Sequence, residues 1–134
     1  MLRTFMPHFQ IEYSANLEGV VDIAQLCEVI RAEAATIGTF PMAGIRVRAT
    51  RVDHFAMADG NSKHAFIDLS VRLREGRTDA VKTDAIQQIF EKLKAYVTPV
   101  MATNSIALSA EIRDISAELS LKFGNVRDHL EDTA

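Results

Sequence analysis

The chain has a single cysteine, Cys27. One thiol cannot close an internal disulfide, so a stapled scaffold is excluded and a reducing cytoplasm is the compartment expected. Long apolar runs are also missing: none approaches the ~18–20 residues of a membrane span. The opening Met1-Leu2-Arg3-Thr4-Phe5-Met6 carries one positive charge but no following apolar stretch, because Thr4, His8, Gln10 and Glu12 interrupt it. It does not read as a secretory signal. There is no excess of basic charge either. Lys and Arg number 15 against 18 Asp and Glu, a net charge of −3, so neither nucleic acid nor an acidic membrane surface is an expected partner. Gly/Ser linkers and low-complexity segments are absent. What remains is 134 residues, 48% hydrophobic and 25% charged, the balance of one globular domain able to build its own core.

Periodicity sets out the elements. His8 to Tyr13 alternates, with Phe9, Ile11 and Tyr13 on one face, which predicts a half-buried strand. Asp22 is a candidate N-cap for a helix whose stripe is Ile23, Leu26, Cys27, Ile30 and Ala34. Gly38 is expected to end that helix with a left-handed cap, and Pro41 to prevent its resumption. Gly44 to Asp53 alternates again, with Arg46, Arg48 and Thr50 on the polar face. Met57-Ala58-Asp59-Gly60-Asn61 reads as a turn. Ala65 to Leu73 is the clearest strand, with Phe66, Asp68, Ser70 and Arg72 facing away from the apolar set. The longest helix is predicted from Asp79 to near Val100, and a last strand from Ser105 to Ile112. The tail from Ala117 onward reads as a short strand at Leu119–Phe123 and a helical turn near Val126–Leu130.

The order strand, helix, strand, strand, helix, strand is two successive β-α-β units. Right-handed crossovers place both helices on one face of the sheet. The expected class is α+β, a four-stranded mixed sheet with two helices on one face. The opposite face, carrying Arg46, Arg48, Asp68, Ser70, Ser109 and Glu111, is left polar. It is uncovered or covered by another subunit. The divisions are an extension at 1–6, a first unit at 7–60, a second at 61–116, and a tail at 117–134 that is too small for its own core and is expected to dock on a neighbouring subunit.

Common catalytic signatures are missing. No pair among His8, His54, His64 and His129 has metal-ligand spacing. There is no nucleophile elbow, phosphate loop or dinucleotide fingerprint. Cys27 lies on an apolar stripe and reads as a small core residue. Two features stand out. Arg46 and Arg48 share a strand face, because side chains repeat with period two. Arg77, in Glu75-Gly76-Arg77-Thr78, sits where a strand gives way to the N-terminus of the long helix, which favours anions. Guanidinium groups grip carboxylates bidentately. The ordinary alternative is three solvated arginines. The second feature is Met6-Pro7-His8-Phe9. A proline at a strand start is commonly structural, whereas a free N-terminal proline is a secondary amine and can act as a base.

Met6-Pro7-His8-Phe9, the run Gly38-Thr39-Phe40-Pro41-Met42-Ala43-Gly44-Ile45-Arg46, Met57-Ala58-Asp59-Gly60 and Gly76-Arg77 occur in an order and spacing that resembles the 5-carboxymethyl-2-hydroxymuconate Δ-isomerase family of the tautomerase superfamily, relatives of 4-oxalocrotonate tautomerase. The resemblance covers residues 6–126, and the Phe-Pro-x-Ala-Gly-Ile-Arg run is its most specific part. It implies a homotrimer of tandem β-α-β units. It also implies cofactor-free isomerisation of a dienol bearing three carboxylates to its 2-oxo-ene, in homoprotocatechuate breakdown, without a metal. It assigns the base to the nitrogen of Pro7, and carboxylate and 2-oxygen binding to Arg46 and Arg77. Arg48 is added to the substrate-binding set from strand parity.

The family's chains start at the methionine before the proline, whereas six residues precede Pro7 in this sequence. While they remain, the Pro7 nitrogen is an amide and cannot act as a base. The expectation is that Met6 is the biological start and that the working chain begins at Pro7. Removal of the extension in the cell would have the same effect. Two alternatives stay open. One is a non-catalytic trimer that binds an anion through Arg46 and Arg77 while the extension blocks Pro7. The other is a related tautomerase for a smaller enol, against which the three arginines argue.

Overall fold

The computed structural model describes Pro7–Glu131. The expected extension at 1–6 and the last residues of the tail, 132–134, lie outside the described residues. Alternation gives the first strand, β1 (His8–Ser14), with Phe9, Ile11 and Tyr13 buried. Helix α1 (Ile23–Ala35) starts at Asp22, whose carboxylate accepts from the Gln25 N–H at 3.0 Å. This satisfies one donor that the first helical turn leaves free. There follow β2 (Arg46–Val52), β3 (His64–Arg74), α2 (Asp79–Met101) and β4 (Ser105–Ile115). Thr78 caps α2 by accepting from the Val81 N–H at 3.2 Å.

The sheet order is β2-β1-β3-β4. β1 and β2 are parallel, as are β3 and β4, while β1 and β3 run antiparallel in the centre. The sheet is therefore mixed, two β-α-β units joined edge to edge. α1 packs against β2, α2 against β4, and the helices touch each other. Leu26, Ile30 and Ala34 of α1 and Ala85, Ile89, Leu93 and Val97 of α2 meet Phe9, Ile11, Ile67, Leu69, Val71 and Leu73 in one core. Fully burying a residue such as Leu69 contributes roughly 1.5–3 kcal/mol.

Two local expectations are corrected. Gly38 supplies no left-handed cap, since the glycines at positive φ are Gly19, Gly60 and Gly76. α1 instead ends at Ala35, where the Thr36 hydroxyl and N–H both donate to the Glu33 carbonyl, at 2.7 and 3.0 Å. A threonine hydroxyl does the work foreseen for a glycine. Among the described residues Leu119–Phe123 pairs with no strand, because alternation sets which way side chains face but does not supply a partner. The helical turn foreseen near Val126–Leu130 is present as a 3-10 turn, Val126–His129. The turn at Met57–Gly60 is closed by a 2.7 Å bond from the Gly60 N–H to the Met57 carbonyl.

Candidate active site

The face away from the helices is set by strand parity and register. His8 of β1 lies opposite Arg46 of β2 and Arg72 of β3. Gln10 lies opposite Arg48 and Ser70, and Arg72 in turn lies opposite Arg113 of β4. Partners in register share a face, so Arg46, Arg48 and Arg72 flank the start of β1, while Arg113, one strand farther out, donates to the Ser70 hydroxyl at 3.3 Å. Farther along, Glu12 lies opposite Asp68, and Ser70 opposite Glu111. The polar face is thus cationic at the Pro7 end and acidic toward its middle. There a small cleft of about 180 Å³ is lined by Gln10, Glu12, Asp68, Ser70, Glu111 and Arg113.

Pro7 is buried at the head of β1. Its carbonyl accepts from the Arg46 N–H at 3.4 Å, which ties the beginnings of the two parallel strands together. The preceding loop delivers Arg46. Phe40 is 3% exposed and meets Phe9 edge-on, with ring centroids 5.0 Å apart. Pro41 then leads into a single 3-10 turn, Met42–Gly44, closed by the Gly44 N–H on the Pro41 carbonyl at 3.0 Å. An anchored aromatic and a pre-set proline φ leave the chain little freedom before Arg46.

His8 reports the field at this end. Arg48 donates to its Nδ1 at 3.2 Å, so a neutral ring carries its proton on Nε2. Its pKa is lowered to about 4, first by burial and then by the charges of Arg72, Arg48, Arg46 and Lys122. A cationic group placed there is disfavoured by the same surroundings.

Arg77 is half-buried in the connection between β3 and α2, next to the N-cap Thr78. β3 runs antiparallel to β1, so its C-terminal end and this connection lie at the Pro7 end of the sheet. Gly76, at φ +120°, makes the turn that presents Arg77. The structure therefore brings Pro7, Arg46 and Arg48 together along two paired strand starts, with Arg77 at the same end but off the strand face. Cys27 is half-buried and burial pushes its thiol pKa up, which keeps it protonated and unreactive. Among the described residues no three His, Cys, Asp or Glu side chains form a cluster able to hold a metal ion.

The family model for 5-carboxymethyl-2-hydroxymuconate isomerase matches residues 7–130. The chain belongs to that family. The 5-carboxymethyl-2-hydroxymuconate Delta-isomerase of Escherichia coli is 34% identical to it over 121 residues, covering 90% of this chain and 96% of that protein. The crystal structure of a 5-carboxymethyl-2-hydroxymuconate isomerase from Deinococcus radiodurans R1 matches with a TM-score of 0.86 at 29% identity, over 95% of this chain and 96% of that one. A fused 4-OT asymmetric trimer, 18% identical, shares the fold with a TM-score of 0.55 over 90% and 98% of the two chains. As a member of the 5-carboxymethyl-2-hydroxymuconate isomerase family the protein is an isomerase with a tautomerase-like fold. The family match opens at Pro7, the buried residue beside Arg46, and takes in Arg48 and Arg77.

Sequence reasoning did not single out Arg72 or Lys122 for this end of the isomerase. Parity put Arg72 on the polar face, but only the antiparallel register brings it opposite His8. Lys122 lies in the tail segment that alternation marks as a strand, but its approach to this end depends on where the tail runs, which no local pattern expresses.

Proposed function

We propose that the protein isomerises 5-carboxymethyl-2-hydroxymuconate to its conjugated 2-oxo-ene in homoprotocatechuate catabolism, with the secondary amine of Pro7 as the base. Arg46 and Arg77 bind substrate carboxylates and the 2-oxygen, and Arg48 adds a further contact on the strand face. The observation that carries this reading is the buried Pro7 seated beside Arg46 in a cationic corner, at the residue where the family match begins. An α-amino group starts near pKa ~8. Burial and neighbouring guanidinium charge both disfavour an ammonium and so lower the pKa of an amine placed among them. A base poised near neutrality is the most effective at physiological pH. The amine takes the 2-hydroxyl proton, the negative charge left on the dienolate is stabilised by guanidinium groups, and the ammonium returns the proton to carbon. The net change moves one proton from oxygen to carbon, and neither metal nor organic cofactor takes part.

The working unit in this reading is a cytoplasmic homotrimer. Leu119, Leu121 and Phe123 are 89%, 97% and 103% exposed. Three large apolar side chains aligned along one segment and open to water fit a neighbouring subunit.

The deciding experiment pairs two measurements. The first is the N-terminal residue of the protein isolated from its natural host. The second is turnover of the dienol by a chain beginning at Pro7. Turnover by that chain, and none by a chain retaining residues 1–6, is the expected outcome. Equal turnover by both would remove the proline amine from the mechanism.

A further inference from the structure

The tail crosses the Pro7 end of the sheet from one edge to the other. It leaves β4 at Ile115, and the Ala117 N–H donates to the Glu75 carboxylate at 2.6 Å. It comes to rest where Val126–His129 packs on Met42–Gly44, just before β2 at the opposite edge. The segment from Ala117 to Val126 reaches up to ~30 Å when extended, against ~14 Å across a four-stranded sheet, so it spans the sheet with slack. Along it, exposure alternates. Leu119, Leu121 and Phe123 point outward, while Ser120 and Lys122 are half-buried beneath them. A polar edge of the tail therefore faces the corner that holds Pro7 and His8.

Lys122 and Arg46 line the same cavity of about 300 Å³, which Gly44 and Asn125 help close and to which Arg127 and Asp128 also contribute. That volume falls at the small end of the range for small-molecule sites. Among the described residues neither Arg46 nor Lys122 has a carboxylate within salt-bridge distance. Arg46 and Lys122, from different parts of the chain, thus line one concavity beside Arg127 and Asp128, and with no salt bridge to hold either of them among the described residues, both can turn to a ligand carboxylate. The charge of Lys122 also reaches His8, which puts it within the same field as the arginines.

We propose that Lys122 is a further substrate-binding residue, which shares a substrate carboxylate with Arg46 in this cavity and so selects for substrates with several carboxylates. The proposal rests on the isomerase reading above. An ammonium on a flexible stem complements the fixed fork of Arg46, since it can follow a carboxylate whose position varies along the dienol.

The test uses Lys122→Gln and Lys122→Arg in the chain beginning at Pro7. With the tricarboxylated dienol, Lys122→Gln is expected to raise KM about tenfold or more with a smaller change in kcat. Lys122→Arg should keep KM within a few-fold of the parent, and Lys122→Gln should raise KM for a monocarboxylated enol less than it raises KM for the dienol. Calorimetric binding of tricarballylate, a saturated tricarboxylate, supplies a readout that needs no turnover. Weaker binding by Lys122→Gln supports the assignment even if the parent chain fails to isomerise the dienol, an outcome that would sink the proline-base reading alone. Unchanged KM and unchanged tricarballylate affinity in Lys122→Gln would overturn the role of Lys122. Unfolding midpoints equal to the parent would establish that the variants fold.

Discussion

Arg46 and Pro7 are joined through their backbones, the N–H of the arginine donating to the carbonyl of the proline at 3.4 Å. The first residue of β2 is thereby held beside the residue that opens β1. Main-chain pairing thus fixes the point from which the Arg46 side chain leaves the backbone. The pairing also makes the site sensitive to changes on either strand.

Removing a charged hydrogen bond of the type assigned to Arg46 and Arg77 costs about 1.5–3 kcal/mol, or roughly 10–150-fold in rate or affinity. Arg46→Ala and Arg77→Ala, in a chain beginning at Pro7, should each lower kcat/KM for the dienol by that order. Steady-state kinetics on purified variants checks this. Full activity in both would remove the arginines from the site.

The pKa of His8 is near 4 in the fold and near ~6.5 in an unfolded chain. Between those values the unfolded chain binds a proton that the folded chain does not, so the His8 contribution to stability rises with pH across this window and is level on either side. His8→Gln should flatten that part of the profile. Urea unfolding between pH 4 and pH 7 measures it, and an NMR titration placing the His8 pKa above 6 would contradict the electrostatics described here.

Gly76 stands at φ +120° with no atom within 4 Å of where a β-carbon would lie. The cost of Gly76→Ala is therefore backbone strain alone, about 1–3 kcal/mol. A lowered unfolding midpoint with unchanged spectroscopic signature is the expected result. Because Arg77 follows directly, a weaker grip on substrate should accompany it, read as a raised KM.

Leu121→Asp and Phe123→Asp put a charge on the outward edge of the tail, where neither side chain touches the core. The fold of one subunit should survive both changes. Sedimentation should register a smaller assembly than the parent, and an unchanged sedimentation coefficient would show that this edge is not an interface.

The strands, both helices and the division into two β-α-β units were legible in the sequence, because each rests on local periodicity. Asp22 as a cap was legible for the same reason, since capping needs only the next three residues. Gly38 misled because a left-handed glycine and a threonine hydroxyl are alternative ways to close a helix, and composition does not choose between them. Leu119–Phe123 misled because alternation reports which side chains face which way, not whether a neighbouring strand exists to pair with.

The candidate site divides along the same line. Pro7, Arg46, Arg48 and Arg77 could be picked out from residue type, strand parity and short motifs, all of which are properties of neighbouring residues. The convergence of Arg72 on His8 across an antiparallel register, and of Lys122 on Arg46 across one cavity, belongs to residues far apart in the chain. Their meeting depends on how strands pair and where the tail crosses. These are decided by burying the apolar faces of both units in a single core, a requirement that no local window of the sequence expresses.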